Sequence, residues 1–328
     1  MNYFVIRKHT LQKFLGLIFS IAYGFFSVAY LNNHFSLDSG DIMSIVRNAN
    51  EYESWNIILS VYGSAANILL NGDAIFHGIV LLLKNLLNVS SQAVLGIYAF
   101  LTSSITFFIL SLNIRQRKYL FFITLLFLMV FFTPRVMNLF SSSIRSGIAF
   151  TILIISFMYL KGLKQYIFLL LSTMIHLSMA PMIAFYVLFN WIEKKRIKLS
   201  FAATLFLLLL CTTIISVIVP KLTFTYDTGV NQSLLYMVLI TIIALLMIFT
   251  NKSAIKNVYG FISIGLILVV LTGYYLVDFS FVRYIGNAII FYLLFIVKEG
   301  TPRTLHVFTV GYMPFFLVTL YYSIANYW

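Results

Sequence analysis

The sequence predicts an all-α, polytopic integral membrane protein, on three observations. Only 9% of its residues are charged and 61% are hydrophobic, where a soluble globular chain carries about 25% charged residues. Apolar runs near or above the roughly 18 residues that cross a bilayer recur along the whole chain. Little between them is long enough to make a soluble domain, so residues 1–328 read as a single transmembrane domain of about eleven helices. No internal repeat or low-complexity linker divides it. Cys211, the single cysteine, lies in an apolar run, so there is neither a disulfide framework nor a cysteine metal site.

The formal charge of +13 does not point to nucleic acid, because the basic residues form short patches between apolar runs instead of one amphipathic face. That is the positive-inside pattern. Arg7/Lys8/Lys13, Arg115/Arg117/Lys118, Lys161/Lys164, Lys194/Lys195/Arg196/Lys198, Lys252/Lys256 and Lys298/Arg303 hold 16 of the 22 basic residues. With all six patches cytoplasmic, the chain crosses an even number of times between consecutive patches, which gives pairs of helices with an outward turn.

The first run, Phe14 to Leu31, follows a basic stretch as a signal peptide does. No small-residue cleavage site follows it, so it is expected to stay as a helix with the N-terminus in the cytoplasm. Its partner is Gln92 to Leu112, across a long outer segment, 32–91. Within that segment Ala74 to Leu87 is too short to span and reads as an amphipathic or re-entrant helix. The second pair is Tyr119 to Phe132 and Ile144 to Leu160, joined by a turn containing Pro134, Arg135 and Arg145. Tyr166 to Trp191 is flanked by basic residues on both sides, so it is read as two short helices with His176 and Pro181 at the turn; one long tilted helix is the alternative. Phe201 to Val219 with Ser233 to Thr250, then Val258 to Val277 with Tyr284 to Val297, complete five pairs. Leu305 to Tyr327 leaves the C-terminus outside.

The acidic residues were not used to draw this map, and seven of the nine fall on its outer side: Asp38, Asp41, Glu51, Glu53, Asp73, Asp227 and Asp278. The same side carries Arg135, Arg145 and Arg283 at the ends of spans. An ionisable group near lipid depth costs about 2.5 to 3.5 kcal/mol on insertion scales and is a functional candidate by default. The planar, permanently charged guanidinium suits a phosphate. Snorkelling to lipid phosphates is the plainer alternative.

Arg145 follows Ser141, Ser142 and Ser143 at a helix start, where amides and dipole favour an anion; helix capping is the serines' alternative role. His176 can take or give a proton as a general base or serve as a packing residue. Asp38-Ser-Gly-Asp41 offers carboxylates for sugar hydroxyls, base chemistry or a divalent cation, and is equally ordinary turn chemistry. Tyr52, Trp55 and Tyr62 read as a sugar-stacking platform or an interfacial aromatic belt. His34 and His77 are weaker candidates in the same outer segment. There is no glycine-rich nucleotide loop, no metal-binding histidine pair and no nucleophile elbow, so an enzyme of this kind draws its driving force from its substrate.

In the order of its features the chain resembles bacterial polysaccharide polymerases of the EpsG or Wzy type. The resemblance is carried by the acidic motif at Asp38 to Asp41, by Asn138-Leu-Phe-Ser-Ser-Ser-Ile-Arg-Ser-Gly-Ile-Ala149, by Met174-Ile-His-Leu-Ser178 and by Phe281-Val-Arg-Tyr284. The chain departs from the family habit of a glutamine or glutamate directly after the central arginine, having Ser146. The resemblance implies a helical fold of the GT-C kind in a bacterial inner membrane. It implies transfer, at the periplasmic face, of a growing glycan from undecaprenyl pyrophosphate onto a new lipid-linked repeat unit, with O-antigen of lipopolysaccharide a first choice over capsule. Arg145 and Arg283 would then hold the leaving pyrophosphate and His176 would orient or deprotonate the acceptor hydroxyl. Arg135 would be an auxiliary phosphate contact, with Ser142 and Tyr284 beside the substrate, and Asp38 or Asp41 would bind sugar or act as base. No metal or other cofactor is implied; undecaprenyl-pyrophosphate-linked oligosaccharides, membrane lipids and a chain-length regulator are. The rivals are a glycosyltransferase using a lipid-phosphate sugar, a lipid-linked oligosaccharide flippase, and an acyltransferase built on His9 or His306.

Overall fold

A computed structural model describes residues 8–36, 72–114, 119–141, 143–222, 234–277, 281 and 283–327. Among them the regular structure is helical: α1 Lys8–Ser36, α2 Gly72–Leu87, α3 Ser91–Leu112, α4 Leu120–Phe131, α5 Pro134–Phe140, α6 Ile144–Tyr159, α7 Gly162–Ile175, α8 Ala180–Lys194, α9 Phe201–Leu222, α10 Leu234–Thr250, α11 Val258–Thr272, α12 Tyr284–Glu299 and α13 Pro302–Tyr327. Short 3-10 turns cover Leu177–Met179 and Ala254–Lys256. Each apolar run singled out from the sequence is a helix or a pair of helices. One helix was not anticipated, α5, which occupies what the sequence suggested was a turn. Pro134 explains it, because its fixed φ suits the first position of a helix and its missing N–H costs nothing there.

By length and composition five helices can cross a membrane, through Lys13–Asn32, Gln92–Leu112, Phe201–Ile218, Val258–Val277 and Pro302–Tyr322. The pair Phe121–Phe131 and Pro134–Phe140, bent by 66°, makes a sixth if it is one broken span. This is a helical architecture partly embedded in a membrane. The other apolar helices are shorter: α6 has 16 residues and α7 has 14, about 24 and 21 Å at 1.5 Å per residue against a hydrocarbon core of about 30 Å.

The chain divides into two compact units: Met1–Asn113 with Met137–Ala180, and Ile114–Val136 with Pro181–Asn326. In the first unit α1 packs on α3, α3 on α6, and α6 on α7, while α2 lies against α3 and α7. The buried face of α1 runs Gly16, Ser20, Tyr23, Gly24, Ser27, Tyr30 and Leu31, recurring at every turn of the helix. A side chain at Gly24 would overlap Ser104 and Phe100, so small residues are what bring the two backbones together, as is usual in lipid. The opposite face, Phe14, Leu17, Ile18, Ile21 and Phe25, is exposed and wholly apolar. Small or polar inside and greasy outside reverses the pattern of a soluble helix, and lipid is the solvent that pattern fits.

In the second unit α12 is the central helix. Every residue from Tyr284 to Val297 is buried, as expected for a helix apolar on all sides. It packs on α11 and α4, and α11 in turn meets α9 and α10. Buried hydroxyls tie these helices: Ser263 Oγ donates to the Ala288 carbonyl at 2.6 Å, Tyr292 Oη to the Met247 carbonyl at 3.0 Å, and Ser216 pairs with Thr272 at 2.7 Å.

Candidate functional site

In the first unit the site grows out of the α6–α7 hairpin. Two sets of bonds fix its antiparallel register. Near the short connection, Ser156 Oγ donates to the Gln165 carbonyl at 3.1 Å and Gln165 Nε2 returns a bond to the Ser156 carbonyl at 3.4 Å. Farther along, buried Ser172 Oγ donates to the Ala149 carbonyl at 2.7 Å. From the first pair to the second, each helix advances by the same seven residues. The same register puts Arg145, in the first turn of α6, and His176, the residue that ends α7, at the same end of the hairpin. The 3-10 turn that follows His176 also packs on α6, in keeping with that register.

Arg145 is half-buried in the first turn of α6. Its neighbours on the helix face are set by close packing. Gly147 sits where a Cβ would stand 2.6 Å from the Leu139 carbonyl and 3.2 Å from Phe140 Cα, so only glycine lets α5 and α6 meet this closely. Ile144 belongs to a buried cluster with Leu31, Phe76, Val80, Val94, Leu95 and Ala99. That cluster gathers the end of α1, helix α2 and the starts of α3 and α6 around the arginine's turn. Tyr30, almost fully buried, donates from its hydroxyl to Asn138 Oδ1 at 2.9 Å, a bond of about 0.5 to 1.5 kcal/mol net. It pins α1 to α5 eight residues before Asp38.

Ser141 and Ser143 do not cap α6 through their side chains as the plainer reading had it. Ser143 makes no side-chain cap bond, and Ser141 is buried and donates back to the Met137 carbonyl at 2.6 Å. His176 caps the end of α7 with its backbone in an extended conformation, φ −153° and ψ 114°. The Ser178 amide donates to His176 Nδ1 at 3.2 Å. In a neutral ring with Nδ1 accepting, the proton is assigned to Nε2. His176 is therefore arranged to donate a hydrogen bond from Nε2; to act as a base it would have to give up the Ser178 contact.

In the second unit Arg135 and Arg283 stand at the starts of α5 and α12. A Cβ on Gly286 would be 2.8 Å from the Arg135 carbonyl, so the first turn of α12 lies against the first turn of α5. Arg135 is held: its Nε donates to Tyr236 Oη at 2.9 Å and its guanidinium carbon lies 5.4 Å from the centre of that ring. An arginine so braced keeps its two Nη groups for a further bidentate contact. The bend before it is fixed too, by Thr133, whose Oγ1 donates to the Met129 carbonyl at 2.7 Å and pairs with Tyr312 Oη at 2.6 Å.

Arg283 is exposed and is the N-cap residue of α12, without a side-chain cap bond. A cation at the positive end of a helix dipole favours an anion beside it. Tyr284, expected beside the substrate, is buried, and its ring stacks on that of Phe281 at 5.9 Å. The structure gives it a packing role that steadies the Arg283 turn. One turn farther, Asn287 is 2% exposed and its buried Oδ1 has no hydrogen-bond partner among the described residues. Sequence reasoning passed over Asn287, Tyr236 and the Tyr30–Asn138 bond. An asparagine in an apolar run one turn from Arg283 was the available signal.

Asp38, Asp41, Ser142, Tyr52, Trp55 and Tyr62 lie outside the described residues. His34 is in α1 and His77 in α2. His306, half-buried in α13, is packed between Tyr119 and Phe122 with its Nδ1 2.6 Å from the Pro302 carbonyl. Among the described residues no group of three or more histidine, cysteine, aspartate or glutamate side chains is placed to hold a metal.

Compared with models of known protein families, with curated proteins and with solved structures, the chain matches none.

Proposed function

We propose that this protein is a polysaccharide polymerase of the inner membrane, with about eleven spans and a GT-C-like fold. It joins lipid-pyrophosphate-linked oligosaccharide repeat units at the outer face. The acceptor hydroxyl attacks the anomeric carbon of the donor glycan. The bond from that carbon to the pyrophosphate oxygen breaks, the lipid pyrophosphate leaves with the electron pair, and the hydroxyl proton passes to a base. What supports this reading is the α6–α7 hairpin, which brings a permanent cation, Arg145 in the first turn of α6, and an imidazole, His176 at the end of α7, to the same end of the pair. Such a pair suits an oxyanion leaving group and needs no metal to neutralise it.

In this reading Arg145 holds the departing pyrophosphate, and Arg283 and Arg135, in the second unit, are each further candidates for binding phosphate. His176 donates from Nε2 to orient substrate oxygen, which leaves the base role to Asp38 or Asp41. The lipid-exposed apolar faces of the spans suit an isoprenoid tail.

The test is reconstitution of the purified protein in liposomes with a lipid-pyrophosphate-linked repeat unit as sole substrate. Products of two or more units, with release of one lipid pyrophosphate per bond formed, are expected. Arg145→Ala and Arg283→Ala should abolish them, and lysine at either position should restore only a part, lacking the fork. Full activity in both alanine variants would remove the pyrophosphate-binding role. Transfer of single sugars from a lipid phosphate would replace polymerisation with the related transferase activity, and movement of intact lipid-linked substrate across the bilayer would replace it with transport.

A further inference from the structure

Away from these arginines, the second unit carries a groove of about 420 Å³ between α10 and α13, lined by Leu245, Leu246, Phe249 and Thr250 from one helix and Arg303 and Val307 from the other. The two helices touch beside it at two points. A Cβ on Gly311 would fall 2.6 Å from Leu246 Cδ1, and Asn251 Nδ2 donates to Thr304 Oγ1 at 3.0 Å. The wall of the groove is not covered by the chain itself, since Leu245, Phe249 and Val307 are 41 to 62% exposed. All of its lining is apolar except at one end, where Thr250 and Arg303 stand.

Arg303 follows Pro302 in the first turn of α13, and that turn holds no acidic residue. Thr301 Oγ1 accepts the Thr304 amide at 3.1 Å, which marks the helix start. A guanidinium here adds its charge to the positive end of the α13 dipole, so the arrangement is complementary to an anion. Arg303 belongs to one of the basic patches read from the sequence as cytoplasmic.

We infer that this groove is a binding site for one anionic phospholipid, with an acyl chain along Leu245, Leu246, Phe249 and Val307 and the phosphate on Arg303. A soluble phosphate would satisfy the arginine and leave the greasy wall bare. A zwitterionic lipid would cover the wall and bring no net charge to the arginine. An anionic lipid does both, and the cytoplasmic leaflet supplies it.

The experiment is native mass spectrometry of the full-length protein in detergent, with phosphatidylglycerol and phosphatidylcholine added at equal concentration. Wild type is expected to retain one phosphatidylglycerol in preference to phosphatidylcholine by about fivefold, which is what about 1 kcal/mol per arginine at an anionic surface amounts to. Arg303→Gln, at an exposed position, should erase the preference. Val307→Trp fills the groove and should lose both lipids at this site while the elution profile stays that of the wild type. Glycerol phosphate should not compete. Equal retention of the two lipids by wild type, an unchanged preference in Arg303→Gln, or displacement by glycerol phosphate would each overturn the assignment. So would a concentration-dependent dimer broken by Val307→Trp, which would make a second copy the occupant.

Discussion

Replacing Gly147 with alanine puts a methyl carbon 2.6 Å from the Leu139 carbonyl oxygen and 3.2 Å from Phe140 Cα. Both neighbours are backbone, so no side-chain rotation relieves the clash and the start of α6 must move away from α5 by several tenths of an ångström. Overpacking of this kind costs about 1 to 3 kcal/mol. Gly96, in the interior of α3, is the control for the same chemistry. Its added methyl would meet only Val28 Cγ1, at 3.7 Å, an ordinary contact, and the change removes glycine's helix cost of about 0.5 to 1 kcal/mol. Opposite signs are therefore expected. In thermal unfolding of the detergent-solubilised protein, Gly147→Ala should lower the midpoint by about 2 to 10 °C and Gly96→Ala should raise it by about 1 to 4 °C, for a cooperative unit of this size. Because Gly147 is two residues from Arg145, its alanine variant should also lose polymer length before it loses abundance in the membrane. A Gly147→Ala midpoint equal to or above the wild type would refute the close approach of α5 and α6, and with it the argument that packing positions the arginine.

The α6–α7 register makes a direct geometric forecast. In a Cys211→Ser background, Arg145→Cys with His176→Cys should crosslink on mild oxidation, whereas Arg145→Cys with Ser172→Cys, a full turn away, should not; the reverse result would displace the pair. Tyr236→Phe keeps the ring beside Arg135 and removes one hydrogen bond to a charged donor, about 1.5 to 3 kcal/mol at most. Tyr236→Leu removes the ring contact as well, about 0.5 to 2 kcal/mol more, so polymer length should fall further in the leucine variant than in the phenylalanine one. Asn287→Leu removes a buried carbonyl oxygen that has no partner among the described residues, so its unfolding midpoint should equal or exceed that of wild type. A midpoint drop of several degrees would mean that the amide is satisfied in the membrane and is part of the scaffold.

Much of the helical layout was legible because period and length decide it. The ends predicted for α3, α4, α6, α10 and α12 fall within two residues of those observed, since each run is bounded by polar or basic residues. The break at His176 was legible for the same reason, with basic patches on either side of a run too short for two full spans. α5 was missed because a proline followed by arginine in a short connection reads as a turn, and only the packing around Thr133 and Gly286 shows it as a helix. The division into two units was not legible either. Its joins fall just after α3, inside α5 and at the first residues of α8, where no glycine- or proline-rich linker marks them. At the candidate site, charge near lipid singled out the three arginines, but the sequence carries no sign of which groups brace them. Tyr236 on Arg135 and Tyr30 on Asn138 are pairings across about a hundred residues, and distance along a chain conveys nothing about them. The orientation of His176 was likewise invisible, because it depends on one backbone amide two residues away.

The central claim is that Arg145 serves chain extension on a lipid pyrophosphate. The measurement that tests it most directly is the surface-glycan banding pattern of cells lacking this gene, complemented with wild type or with Arg145→Ala at equal protein level. A ladder is expected with wild type, and a single repeat unit with the empty strain and with Arg145→Ala. A full ladder with Arg145→Ala, or loss of even the single unit in the empty strain, would contradict it.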